Sequence, residues 1–372
     1  MRKEITERYY RVFTYQEVDR VPDIEFGYWP QTIRRWLAEG MKVELSDPEK
    51  AEMFSSKVNA HFGFEHEGHG INLRLGMNPP FDEEVIERKA EAVVMRDAAG
   101  IVAERYLNDS ELSSIPHFLE FPIKTPDDWE AMKERYRLDD PVREIPTDET
   151  EAARKAAAEG KMISVSCTGF YGQLRHWMGF ENLSLAFFDH PKMVDDMVEH
   201  WSELCARQIQ RLPDDLPIDQ AAWWEDMASK NGPFVSPDMF RRFLQPGYHK
   251  VMTAAKKRGC VLGVVDCDGN PHDIVANWME EGVNIMFPLE VAAGCDPFAW
   301  REEFGMELRM RGAIAKRPLV EGGPAIDKEL ERIKPLLEAG GCIPHLDHLV
   351  PPDISYDNYR YYREKKLKLI GK

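Results

Sequence analysis

The chain has 372 residues, 43% of them apolar, and a formal net charge of −17. That size can bury a large core, whereas the acidic balance repels phosphate backbones and anionic lipid, so we predict no nucleic-acid and no membrane partner. No apolar run is long enough to span a membrane, the charged N-terminus is unlike a signal peptide, and six cysteines without CxxC spacing favour a reducing, cytoplasmic location.

The first part of the chain predicts a hairpin excursion ahead of a regular α/β pattern. Residues 81–124 alternate apolar and polar side chains around an Ala-Gly turn, as in VVMRDAAGIVAERY, which predicts a β-hairpin. The acidic, proline-containing stretch 139–150 is typical of a surface connection, because it is too short to link independent domains. We therefore predict one domain over residues 1–372.

From residue 150 onward, helices and strands alternate. The predicted strands, each behind a helical segment, cover residues 162–166, 218–222, 260–265, 283–288, 307–312 and 342–346. Ser236 and Pro237 suit the cap and first turn of one of these helices, which ends before Gly259. Strand–helix–strand repeats with short loops predict a parallel sheet.

Polar residues directly after the strands decide between two parallel-sheet folds. A doubly wound sheet concentrates functional groups at one switch point, whereas a barrel takes them from many strand ends. Asp226, Asp268, Glu290 and His348 follow four different strands, and no GxGxxG fingerprint follows the first strand. We therefore predict an α/β fold, a (β/α)8 TIM barrel with an N-terminal helical and hairpin excursion, in which these four side chains share one mouth.

Two carboxylates end the strand before residue 270. If the strand continues, Asp266 and Asp268 lie on the same face. Close carboxylates push their pKa values apart, which suits acid–base catalysis or a hard metal ion. The alternative is an Asx turn that caps the next helix.

The segment from His345 to His348 is the densest cluster of titratable groups in the chain. Strand alternation places His345 and Asp347 on one face and His348 on the other, unless the chain turns ahead of the prolines at 351–352. A histidine at this position can act as a general base, a hydrogen-bond donor or a metal ligand. The alternative is a structural histidine.

Two tryptophans precede an acidic pair at the end of another strand. Trp223 and Trp224 can line an apolar pocket for a flat or methylated ligand, beside Glu225 and Asp226. The alternative is that one tryptophan belongs to the core. Glu290 ends the otherwise apolar FPLE strand and is a site candidate by the same reasoning.

Several motifs resemble the uroporphyrinogen decarboxylase superfamily, in the same order along the chain. They are VDRVP at 18–22, GFENL at 179–183, EDM at 225–227, DG at 268–269, FPLE at 287–290, and GGCIP at 340–344 with the residues that follow to Tyr359. The resemblance runs from about residue 8 to about residue 365. It implies a (β/α)8 barrel, commonly dimeric, with its site in the barrel mouth.

The superfamily holds two main chemistries, and each implies particular residues. True decarboxylases carry an RQAGR motif whose cations hold the substrate's carboxylates, and the matching positions here are Gly27 and Gln31. Corrinoid-linked methyltransferases bind zinc through a His-x-Cys pair and a distant Cys, and the matching positions are Asp266, Asp268 and His348. The resemblance therefore implies a divalent metal with oxygen and nitrogen ligands, zinc being the first candidate.

The resemblance is nearer the corrinoid-linked branch. We predict a methyltransferase that moves a methyl group between a small methylated substrate and a corrinoid (cobalamin) carried by a partner protein, in a homodimer. The predicted catalytic residues are Asp226, Asp268 and His348, and the predicted metal ligands are Asp266, Asp268 and His348. The predicted substrate contacts are Tyr28, Tyr171, Trp224, Glu225, Glu290 and His345. The alternatives are a cofactor-free decarboxylase of a porphyrinogen or smaller carboxylic acid, and a non-catalytic barrel that binds a small molecule.

Overall fold

The computed structural model describes residues 3–65, 68–106 and 116–372. The strands are β1 (Gly68–Ile71), β2 (Glu84–Arg88), β3 (Ala92–Arg96), β4 (Val102–Tyr106), β5 (His117–Glu120), β6 (Met162–Ser166), β7 (Gln220–Trp224), β8 (Ala228–Ser229), β9 (Gly232–Pro233), β10 (Leu262–Asp266), β11 (Val283–Phe287), β12 (Arg309–Ile314) and β13 (Cys342–Leu346). Within the described ranges, a sheet of seven parallel strands has the spatial order β1–β6–β7–β10–β11–β12–β13.

Helices pack around this sheet and its loops. They are α1 (Glu4–Phe13), α2 (Pro30–Ala38), α3 (Ser56–Phe62), α4 (Pro126–Lys133), α5 (Thr147–Ala158), α6 (Phe170–Asp189), α7 (Pro191–Arg211), α8 (Pro237–Met239), α9 (Gln245–Lys256), α10 (Val275–Glu280), α11 (Pro297–Phe304), α12 (Arg317–Glu321), α13 (Gly323–Glu338) and α14 (Tyr356–Ile370). No helix in the described ranges is long and apolar enough to cross a membrane.

The parallel sheet curls until one of its faces encloses an apolar interior. Alternate residues of four strands join α1 in one buried cluster, because a strand's side chains alternate between faces. The cluster contains Tyr9, Val12, Phe13, Ile24, Met162, Leu262, Val264, Ile285, Phe287 and Ile343. The predicted barrel class is thereby confirmed, with seven strands in the described ladder. An extended segment, residues 21–28, runs beside the last strand and forms a parallel bridge between Tyr28 and Val350.

A buried ion cluster holds this N-terminal segment against α14. Arg363 donates two hydrogen bonds of 2.7 Å to the carboxylate of Asp23, and Lys366 lies 3.7 Å from the same carboxylate. Burial opposes ionisation of Asp23, but the two cations outweigh it and lower its pKa to about 2. The segment that enters the barrel beside β13 is therefore fixed by charge pairing from the C-terminal helix.

The predicted hairpin excursion is also present. β3 and β4 pair antiparallel around the Ala-Gly turn, and the excursion is a four-stranded sheet in the order β2–β3–β4–β5. Residues 107–115, which fall inside the predicted excursion, lie outside the described residues. The excursion packs on α6, where Gly179 has a φ of +75° and a Cβ would overlap the ring of Phe121. Glycine is therefore required at this kink.

Candidate functional site

The C-terminal ends of the parallel strands, with the loops that follow them, form the barrel mouth. At this level Asp266 of β10 pairs with Trp224 of β7 on one side and with Phe287 of β11 on the other. Because neighbouring parallel strands end together, the residues directly after them meet at the same mouth. Asp226, Asp268, Glu290 and His348 all come from such loops, as the sequence predicts.

Three aspartates form the centre of the mouth. Carboxylate oxygens of Asp226, Asp266 and Asp268 lie within 4.8 Å of one another. The backbone N–H of Asp268 also donates a 3.2 Å hydrogen bond to the Asp226 carboxylate. The structure thus places Asp266 and Asp268 on one face, because the alternation of β10 continues past its last paired residue.

His348 joins this group from the loop after β13. Its Nε2 lies 3.1 Å from the Oδ2 of Asp268, and the donor atoms of Asp268, Glu290 and His348 lie within 4.8 Å of one another. Trp29 stacks on the imidazole at 6.2 Å between ring centroids, and Phe26 meets it edge-on at 5.6 Å. The chain bends directly after β13, and the imidazole of His348 meets the mouth carboxylates.

The close carboxylates change one another's acidity. Burial, together with the nearby charge of Asp268, raises the pKa of Asp226. Burial raises the pKa of Asp266 well above its ordinary value, and Asp226 and Asp268 add to the increase. Three adjacent negative charges are unfavourable in a partly buried site, so the group retains a proton that isolated aspartates would lose. Such a group can donate a proton to a bound solute and take one back.

Asp347 connects two loops beneath the mouth. Its carboxylate accepts hydrogen bonds from the backbone N–H of Val291 at 3.0 Å and from that of Lys316 at 3.2 Å. Burial raises the pKa of Asp347 to about 6, although the nearby ammonium of Lys316 acts in the opposite direction. Asp347 therefore fixes the loops after β11 and β12 relative to β13.

Glu225 has a corresponding role beside β7. Its buried carboxylate accepts 2.7 Å hydrogen bonds from the backbone N–H groups of Phe170 and Gly172, and another from the hydroxyl of Tyr248. Burial raises the pKa of Glu225 to about 7, against the effect of these hydrogen bonds. The carboxylate thus holds the first turn of α6 against the end of β7.

Four predicted substrate contacts have no exposed surface. Tyr28 packs among the core aromatic residues, Tyr171 stacks near Phe187 at 6.5 Å, and both Glu225 and His345 are fully buried. The structure does not bring these side chains to the mouth surface, so a solute reaches them only if the mouth rearranges. Their role in binding stays a prediction that this geometry does not favour.

Trp224 and Glu290 do reach the mouth, and Trp224 has a neighbour that the sequence did not indicate. Trp223 is buried against the helices, whereas Trp224 is half-buried beneath the guanidinium of Arg175, whose carbon lies 5.2 Å from the ring centroid. Glu290 accepts a 2.9 Å hydrogen bond from the backbone N–H of Gly269. Nothing in the sequence points to Arg175, because it lies inside α6, where a surface arginine is the ordinary expectation.

An open cavity of about 940 Å³ adjoins the His348 side of the mouth. Trp29, Lys316 and Asp347 line it, together with apolar residues of the loops after β11, β12 and β13. Trp29 both lines the cavity and stacks on His348, so the cavity lies directly beside the imidazole of His348. The volume is at the upper end of the range for small-molecule sites.

A family model and one solved structure agree with this fold. The model of the family described as uroporphyrinogen decarboxylase (URO-D) matches residues 108–365, and no curated protein matches the chain. A solved methyltransferase from Methanosarcina mazei is 15% identical with a TM-score of 0.59, over 97% of this chain and 98% of that one. A B12-independent methionine synthase from Shewanella sp. W3-18-1, in complex with selenomethionine, is 12% identical with a TM-score of 0.34, over 59% of this chain and 65% of that one.

Proposed function

The chain belongs to the uroporphyrinogen decarboxylase (URO-D) family, and on that basis we propose that it is a methyltransferase, which moves a methyl group between a small methylated compound and a corrinoid carried by a partner protein. The observation that carries the proposal is the contact between Asp268 and His348 in a mouth rich in carboxylates. The Methanosarcina mazei protein of similar fold is described as a methyltransferase, which agrees with the proposal.

The charges of the mouth disfavour a substrate with many carboxylates. Such a substrate needs several cations, but the centre of the mouth gathers Asp226, Asp266 and Asp268 instead. Gly27 stands at a position where decarboxylases carry part of their arginine motif, and a Cβ there would lie only 2.7 Å from the backbone oxygen of Met53. A large cationic side chain therefore does not fit at residue 27.

The chemistry that this mouth can supply is proton transfer at the atom that releases the methyl group. When a methyl group leaves an oxygen, nitrogen or sulfur atom, the electron pair of the broken bond stays with that atom, and the acceptor supplies the electron pair of the new bond to the methyl carbon. If the atom left behind is an anion, it takes up a proton. The hydrogen bond between Asp268 and His348 holds a proton at that position. Trp29 and Phe26 fix the plane of the imidazole, so that its proton is directed into the mouth.

A divalent metal fits the residues of this site. Two ligands of one tetrahedral ion stand about 3.4 Å apart when each bond is about 2.1 Å, and the Asp268 and His348 donor atoms are 3.1 Å apart. Asp268, Glu290 and His348 would hold it, as a set of oxygen and nitrogen ligands without thiolates. Asp266, which the sequence predicts as a ligand, groups instead with Asp226 and Asp268. When bound, the ion would act as a Lewis acid toward the leaving atom.

The raised pKa values favour an enzyme over a barrel that only binds a ligand. Burial and mutual repulsion raise the pKa of both Asp226 and Asp266, and such shifts concentrate at catalytic sites. A pure binding site does not need a proton held among three carboxylates. The same shifts are compatible with decarboxylation, so the reaction type needs a direct test.

The test is an anaerobic assay with cobalamin reduced to Co(I) and a panel of methylated ethers, amines, thioethers and carboxylic acids. We expect methylation of the cobalamin, followed by its absorbance, with at least one compound. Asp268→Asn and His348→Gln should each lower the rate by about 100-fold or more, as expected for loss of a general acid. Elemental analysis of protein purified without chelators measures the bound metal in the same preparation.

Parallel samples without cobalamin measure CO2 release from the same carboxylic acids. Asp353→Asn is a matched control, because Asp353 lines the cavity but is exposed. CO2 release without any methyl transfer would replace the proposal with the decarboxylase alternative. Methyl transfer that persists in both Asp268→Asn and His348→Gln would show that the reaction does not use this pair.

A further inference from the structure

Arg175 lies at the edge of the mouth, in a position fixed by β7. Its Nη1 donates a 2.7 Å hydrogen bond to the backbone oxygen of Asp226, and its guanidinium lies over the ring of Trp224. His176 packs edge-on against the same ring at 5.5 Å. The side chain is still 24% exposed, so the guanidinium is held rigidly yet remains open to a solute.

Most of the donors of this guanidinium are available. A guanidinium carries five N–H groups, and among the described residues the structure gives Arg175 one hydrogen bond, to Asp226. The Asp226 carboxylate lies 3.7 Å away, which is an ion-pair distance but too long for a hydrogen bond. Lys316, by contrast, lies between two carboxylates, 3.5 Å from Glu290 and 4.0 Å from Asp347.

We propose that Arg175 anchors a single carboxylate group of the substrate, so that the substrate of this mouth is a small organic mono-anion. A planar guanidinium with adjacent free N–H groups matches the two oxygens of a carboxylate. Trp224 beneath it provides an apolar face for the carbon skeleton next to that carboxylate. The inference deepens the proposed methyl transfer and rests on it only for the statement that the substrate is methylated.

The surroundings of Arg175 limit the substrate to one such anion. Beyond Arg175 a second carboxylate would meet Asp226, Asp268 and Glu290, which repel it. An anion at Arg175 also orients the rest of the molecule. Since Asp226 contacts both Arg175 and the backbone of Asp268, the uncharged end of the substrate extends toward the Asp268–His348 pair. Arg175 is therefore a substrate-binding residue that determines specificity.

The test measures binding, so that it does not depend on any reaction. Benzoate and acetate are the probes, their neutral analogues benzamide and acetamide are the comparison, and calorimetric titration gives the affinities. We expect the wild-type protein to bind at least one of the two anions about tenfold or more tightly than its amide, as a charge-assisted bidentate contact requires. Arg175→Gln should abolish that preference, and Arg175→Lys should retain only part of it.

Arg317→Gln is the matched control, because Arg317 lines the cavity across the mouth with a side chain 90% exposed. It should leave the preference unchanged. Melting temperatures establish that each variant folds. If Arg175→Gln does not fold, Arg175→Lys decides, because its preference for the anion should be smaller than that of the wild-type protein. A wild-type protein that binds both anions no better than the amides, or an Arg175→Gln protein that keeps the preference, would overturn the proposal.

Failure of this proposal and failure of the proposed function give different results. Methyl transfer from neutral compounds only, unaffected by Arg175→Gln, would leave the methyltransferase standing and remove the anion anchor. Anion preference that depends on Arg175, without methyl transfer to cobalamin, would leave the anchor standing and remove the methyltransferase.

Discussion

The structure predicts how the effect of Asp347→Asn on the free energy of unfolding depends on pH. Each carboxylate oxygen of Asp347 accepts one backbone N–H, from Val291 and from Lys316. Asparagine keeps one acceptor oxygen but places an NH2 group against the second backbone donor. Leaving a buried donor without a partner costs about 1–3 kcal/mol. We therefore expect Asp347→Asn to lower the free energy of unfolding by about that amount at pH 8.

Asp347→Asn should destabilise the protein more at lower pH. Burial raises the pKa of Asp347 to about 6 in the folded protein, from an ordinary value of 3.8. A carboxyl with a raised folded pKa stabilises the protein most when it is protonated, and that contribution falls as the pH rises toward 6. Between pH 5 and pH 8 the free energy of unfolding of the wild-type protein should therefore fall by about 1.4 kcal/mol through this group. The asparagine variant, which has no carboxyl at this position, should not show that fall. The difference in the free energy of unfolding between the wild-type protein and Asp347→Asn should therefore become smaller as the pH rises.

Two measurements check this prediction. Urea unfolding at pH 5, 6, 7 and 8 gives the stability difference, and hydrogen exchange reports the backbone amides of Val291 and Lys316 individually. One of these two amides should exchange faster in Asp347→Asn, whereas Asp353→Asn, which changes an exposed residue of the same cavity, should match the wild type. A stability difference that is constant with pH, or that widens toward pH 8, would refute the reasoning.

Three further predictions concern the mouth and the barrel wall. In a double-mutant cycle of Asp268→Asn and His348→Ala, the losses of substrate affinity should be non-additive by about 1 kcal/mol or more, because the two side chains touch. If the variants lose only melting temperature, and lose it additively, the two residues do not share a site. Gly312→Ala should destabilise the protein by about 2 kcal/mol or more, because φ is +103° and a Cβ would overlap the carbonyl oxygen of Pro288; an unchanged melting temperature would contradict this. Uroporphyrinogen III should not be decarboxylated at an ordinary enzymatic rate of about 1 per second or more, which a direct turnover assay measures.

Elements with a strong local pattern were predictable. The strands predicted at 162–166 and 342–346 coincide with β6 and β13, since a continuous apolar run between turn residues specifies a buried strand without reference to the rest of the fold. The Ala-Gly hairpin of β3 and β4 is specified in the same way, by alternation and a turn.

Elements without such a pattern were not predictable. β1, Gly68–Ile71, contains two glycines, which are unfavourable inside a strand, yet it pairs with β6 along its whole length. A Cβ at Gly68 would overlap the backbone oxygen of Met162, so glycine there permits a close approach between strands. The need for that approach exists only once β6 lies beside it.

The same division holds at the mouth. Which polar side chains follow the strands can be predicted from the sequence, because each strand ends where its apolar run ends. Alternation along the strand then places Asp266 and Asp268 on one face. That Asp268 touches His348, 80 residues away, depends on the tertiary structure, since the curl of the sheet brings the ends of their strands to one mouth. The burial of Glu225 and Asp347, and their contacts with neighbouring loops, also depend on the tertiary structure. Backbone N–H groups of those loops need acceptors once they are buried, and which carboxylate provides the acceptor depends on which loops the curled sheet makes neighbours.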